Sequence, residues 1–139
     1  MDESDDRASP AKMWEGDEAS RSAGMSLDAV EPGRAVLSMT VRADMVNGLG
    51  VCHGGYVFLL ADSAMAFASN TGGAPTVAAA AQIDFIAPAY LGERLVAHAT
   101  TQWAGGRAAL HSVEVKNQSG RLVALFHGRT SRVTLPSPG

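Results

Sequence analysis

Asp62 is the only charged side chain in Gly54–Ser69 (GGYVFLLADSAMAFAS), a stretch otherwise almost wholly apolar. A helix that is apolar on every side is normally buried. A carboxylate inside it is costly to desolvate unless it is paired or used. Directly before it stands Asn47-Gly-Leu-Gly-Val-Cys-His-Gly-Gly55, a glycine-rich turn ending in His-Gly-Gly. If a helix starts at Gly54, its first amides lack intrahelical partners and carry partial positive charge. Gly54 and Gly55 let a ligand come close to that backbone. Free amide donors that polarise a carbonyl oxygen, with an acid to act on its carbon, are the equipment of acyl transfer.

Spacing limits how these parts can meet. Asp62 lies eight residues after Gly54, about 12 Å along a helix axis at 1.5 Å per residue. One chain cannot bring both to the same carbonyl. A twofold dimer that sets two such helices side by side can, the amides of one chain facing Asp62 of the other. His53 could orient a substrate, donate a proton or cap the loop. Asn47 could hold a water or a carbonyl, or simply form an Asn-Gly turn. Cys52 beside His53 invites a thiol nucleophile, but adjacent side chains on an extended loop point apart. Ser63 has no nucleophile-elbow motif around it; with Gly55 it is expected to contact the substrate. His98, His111 and His127 have no metal-ligand spacing, so neither metal nor cofactor is expected.

The rest of the chain must hold this segment in place. With 139 residues, 46% hydrophobic and 18% charged, it reads as one globular domain. The 11 Lys and Arg residues are scattered and net charge is −3, which excludes a nucleic-acid footprint. The longest apolar run is too short, and too acidic at its centre, to span a membrane. The acidic N-terminus is not a secretory signal. A lone cysteine excludes an intrachain disulfide and suits the cytoplasm. Residues 1–12 are expected to be a flexible tail, 13–134 the domain and 135–139 a frayed end. Strand patterns fall at Met25–Glu31, Arg34–Val41, Thr76–Ala87, Glu93–Trp103, Arg107–Lys116 and Arg121–Val133, with turn signals at Glu31-Pro-Gly33 and Asn117-Gln-Ser-Gly120. Short connections suggest an antiparallel meander. The fold class is therefore α+β: a curved antiparallel sheet of five or six strands wrapped around one long helix. The helix is too apolar for one sheet to cover, and a second subunit is the expected remaining cover.

With Asn47, His53, Gly54, Gly55 and Asp62 identified, Met45–Asn70 closely resembles the signature of the hotdog-fold acyl-CoA thioesterases, in particular their phenylacetate-degradation (PaaI-type) branch. Gln82–Leu95 is similar to that family's strand-turn-strand, and the likeness extends over roughly Gly24–Val133. It implies a hotdog fold, dimers that pair into tetramers, and thioester hydrolysis. It implies that Asp62 is the catalytic acid and Gly54 the carbonyl-polarising amide. His53 and Asn47 would position the thioester and a water. The implied substrates are aryl-acyl (phenylacetyl-type) CoA thioesters. Leu49 departs from the pattern, which often has a polar residue there, and Val77–Ala81 lacks the serine or threonine that some relatives carry. Two rival readings stay open: an acyl-thioester dehydratase or hydratase on the same scaffold, and a non-catalytic acyl-CoA-binding module.

Overall fold

The computed structural model describes residues 4–137. Two short helices, α1 (Pro10–Gly16) and α2 (Glu18–Ser22), precede strands β1 (Ser26–Glu31) and β2 (Arg34–Thr40). The long helix α3 (Gly54–Ser69) follows, then β3 (Thr76–Phe85), β4 (Arg94–Gly105), β5 (Ala108–Lys116) and β6 (Leu122–Arg132). Local chemistry sets these boundaries. Ser9 caps α1 ahead of Pro10, and the Asp17 carboxylate accepts from the Ser20 amide at the start of α2. Gly33, at φ +72°, turns β1 into β2 where a side chain would be strained. Asn70 closes α3: its side-chain amide donates to the carbonyls of Ala66 and Thr76.

All strand pairs are antiparallel, in the order β1-β2-β4-β5-β6-β3. The expected meander holds only for β4-β5-β6. β3 leaves the run and pairs with β6 at the far edge, because α3 intervenes and delivers the chain across the sheet. The segment 86–93 then carries it back to β2, pinned by the Cys52 amide to the Ala89 carbonyl at 2.8 Å and the Val41 amide to Glu93 at 2.9 Å. The N-terminal segment carries local structure. A 3-10 turn at Asp6–Ala8 and α1 occupy much of the supposed flexible tail. Arg7 explains why: it bonds the Asp5 carboxylate and the Pro136 carbonyl, while the Asp5 amide donates to Gly73. Residues 1–3 and 138–139 lie outside the described residues.

The core lies between α3 and the sheet. Leu60, Ala61, Ala64, Met65 and Phe67 of α3 meet Leu37, Leu95, Ala97, Val113, Val115 and Phe126, all essentially without solvent exposure. A Cβ on Gly128 of β6 would collide with Met65, so that glycine lets the helix lie close to the sheet. Phe58 packs edge-on to Phe126, with ring centroids 5.3 Å apart. Buried His111 ties strands together, one ring nitrogen bonded to Thr101 and the other to Thr130; burial lowers its pKa.

Two surfaces remain open. Gly55, Leu59, Asp62, Ala66 and Ser69, spaced by four and three residues, form a stripe of α3 that is exposed or half-buried. The edge strand β3 exposes the run Val77–Ala81 on both faces. A free apolar strand edge invites pairing with another chain.

Candidate active site

The loop between β2 and α3 aims its residues through its own backbone. The His53 amide donates to the Met45 carbonyl at 2.7 Å, and the Asn47 amide to Val51 at 2.8 Å. The Asn47 Oδ1 accepts from the amides of Leu49, at 2.9 Å, and Val51. Its oxygen therefore closes the turn, leaving Nδ2 as the group able to meet a ligand. The turn and the ligand-binding readings of Asn47 are both compatible with this geometry.

His53 is the N-cap of α3, and its Nδ1 accepts from the Gly55 amide at 2.9 Å. That bond assigns the neutral ring's proton to Nε2. The Tyr56 amide donates to the His53 carbonyl. In the first turn of α3, then, the Gly55 and Tyr56 amides are engaged and the Gly54 amide has no acceptor among the described residues. The residues alone offered the first amides of the helix as a group, and the family resemblance implied Gly54. In the structure the His53 ring takes up the Gly55 amide and leaves that of Gly54 without an acceptor among the described residues. Gly55 does not line the cavity onto which Gly54 opens; the His53 ring lies over it, with Nδ1 3.1 Å from where its Cβ would stand.

Gly54 and Asn47 open onto a cavity of about 370 Å³, whose apolar lining includes Val57, Phe85, Ile86, Pro88 and Val123. Buried Cys52 also lines it. Its thiol lies against the His53 carbonyl at 3.6 Å rather than the imidazole, and burial pushes its pKa up. That arrangement does not activate a thiolate nucleophile. Phe85 is a wall residue that the motif reading missed: an apolar side chain on a strand carries no chemical signal.

Asp62 does not line this cavity. It sits half-buried on the open stripe of α3, with no hydrogen-bond or ion-pair partner among the described residues. Its oxygens still reach solvent, since no buried side-chain oxygen is left unsatisfied. Burial raises its pKa above the usual carboxylate value. A carboxylate shifted toward working pH is a better proton acceptor than a free one. Ser63 corrects an expectation. Its hydroxyl is buried and bonded to Ser20 Oγ at 2.8 Å, and Ser20 in turn to Asp17 at 2.7 Å. One residue further along the helix, about 100° around the axis, it locks α2 onto α3 rather than facing a substrate.

A six-stranded antiparallel sheet packed on one central helix is the hotdog fold of the acyl-thioester hydrolases. The chain belongs to the Thioesterase superfamily, whose family model matches residues 49–124. It is 40% identical over 121 residues to the acyl-coenzyme A thioesterase PaaI of Escherichia coli, covering 87% of this chain and 86% of that one. It is 34% identical over 103 residues to human acyl-coenzyme A thioesterase 13, covering 72% and 74%. The solved structure of E. coli PaaI, from the phenylacetic acid degradation operon, superposes with a TM-score of 0.87 at 39% identity, covering 88% and 89%. Family and fold make this chain a thioester hydrolase.

Proposed function

We propose that this chain hydrolyses aryl-acyl CoA thioesters to the free acid and CoA in a site shared between two subunits. The carrying observation is the division of labour along α3: among the described residues, the Gly54 amide has no acceptor and the Asp62 carboxylate no partner. The acyl carbonyl oxygen accepts from the Gly54 amide. Asp62 of the partner subunit removes a proton from water as the water adds to the carbonyl carbon, or attacks that carbon itself. The tetrahedral oxyanion stays on the Gly54 amide. Its collapse expels the CoA thiolate, which is then protonated. In the base route the proton taken from water passes to the thiolate and frees the carboxylate. Direct attack instead leaves an acyl–Asp62 anhydride, which a water then hydrolyses to the free acid and the carboxylate, and ¹⁸O from water appearing in Asp62 after a single turnover marks that route. His53 presents Nε2–H, and Asn47 presents Nδ2, to the thioester or the water.

The dimer is argued from the axial gap of about 12 Å between Gly54 and Asp62. The apolar edge of β3 and the open stripe of α3 are the surfaces a second copy would cover. Pairing of dimers into a tetramer is the assembly proposed beyond that. An active, dilute monomer in sedimentation-coupled assays would overturn the shared site. The acyl preference follows E. coli PaaI's name and operon and the apolar lining of the cavity. Thiol release from a panel of aryl and aliphatic acyl-CoAs tests it.

The dehydratase reading needs His53 to accept a proton. With Nδ1 committed to the Gly55 amide, the ring is a donor, which favours hydrolysis. A passive binding module gives no use to an unpartnered, half-buried acid.

A further inference from the structure

Phe85 ends β3 two residues after Ile83, so the two side chains leave the strand on the same side. Ile83 packs against the core. A Cβ built on Gly54 would stand 3.0 Å from Phe85 Cζ and 3.3 Å from Cε1. The tip of the ring therefore rests on the bare Cα of the residue whose amide is free. Phe85 is 56% exposed, yet it walls the cavity together with Val57, Ile86, Pro88 and Val123. An acyl group whose carbonyl oxygen reaches the Gly54 amide must pass this ring within a few atoms.

We propose that Phe85 is a specificity-determining residue: its ring walls the cavity beside the Gly54 amide and takes a flat aromatic acyl group against its face. The proposal rests on the hydrolase reading and deepens it by naming the group that selects the acyl chain. Aromatic rings gain from offset-stacked or edge-to-face contact beyond what buried area gives. A slender aliphatic chain in the same cavity forgoes that gain, so the ring discriminates between acyl classes.

The test compares wild type, Phe85→Leu and Phe85→Ala by thiol release from phenylacetyl-CoA and hexanoyl-CoA. The ratio of kcat/KM, aromatic over aliphatic, is expected to fall about tenfold in both variants. An unchanged ratio, with both substrates losing equally or neither losing, overturns the proposal and makes Phe85 a packing residue on Gly54. Phe85→Leu keeps apolar bulk without a ring face, so it decides the matter even where Phe85→Ala does not fold. A wild type that cleaves acyl-CoAs but prefers hexanoyl-CoA sinks this inference together with the aryl-acyl preference, and leaves the hydrolase reading standing. A wild type that releases no thiol from any acyl-CoA sinks the hydrolase reading and takes this inference with it.

Discussion

Replacing Asp62 by Asn separates what the acid does for chemistry from what it does to stability. The two are nearly isosteric, and Asp62 has no hydrogen bond or ion pair among the described residues to lose. The substitution therefore costs the fold no contact. Burial raises the Asp62 pKa above the 3.8 of a free side chain, so the folded state binds its proton more tightly than the unfolded chain does. Such a group favours folding most below 3.8, and that contribution is lost as pH rises through the raised folded value. At neutral pH the ionised carboxylate works against folding; because the group is only partly buried, solvent screening keeps this effect small. Asp62→Asn should thus match or exceed wild type in urea denaturation at pH 7, and any gap should narrow as pH falls toward 3.8. Activity moves the other way. A general base contributes about 10²–10⁴ in rate, or about 2.7–5.4 kcal/mol of barrier at 1.36 kcal/mol per decade. Loss of kcat on that scale is expected with unchanged oligomer mass by light scattering. The kcat/KM–pH profile of wild type should rise with an inflection above the ordinary aspartate range. Near-normal turnover in a folded Asp62→Asn protein refutes the catalytic assignment. A clear loss of stability at pH 7 refutes the claim that the carboxylate lacks a partner.

Gly54→Ala puts a methyl group 3.0 Å from the Phe85 ring, so helix or ring must shift; kcat/KM should fall about 10²-fold, the scale of a 1 Å misplacement. Adding Phe85→Leu should return part of that loss, and a strictly additive double variant would place the two residues out of contact. Ser63→Ala should cost about 0.5–1.5 kcal/mol in denaturant, plus the penalty of leaving Ser20 short of a partner, while kcat stays within a few-fold of wild type. A tenfold loss of kcat with little loss of stability would return Ser63 to the substrate.

Much of this protein is legible in its sequence, because the informative features are local. Asp62 stands out as one charge in an apolar run. His53-Gly-Gly55 announces a helix start, since caps and glycines act within a few residues. Helix Gly54–Ser69 follows from an almost unbroken apolar run opened by glycines, and the strands from their β-type runs and turn residues; the observed bounds differ from the expected ones by a few residues. The proposal of a second copy also starts there, from arithmetic on the helix rise.

Tertiary structure alone decided the rest. No local signal sends β3 to the far side of β6, because strand order depends on where α3 crosses the sheet. Ser63 and Asp62 are neighbours in sequence, yet one meets a hydroxyl of α2 and the other stays open, a difference set by packing around the helix rather than by residue type. That the Gly55 amide is taken up by His53 Nδ1, while the Gly54 amide is not, required knowing which way the His53 ring turns. Phe85 enters the site because a strand passing more than twenty residues later lays its side chain on Gly54, a contact between distant segments that no pattern in either one encodes.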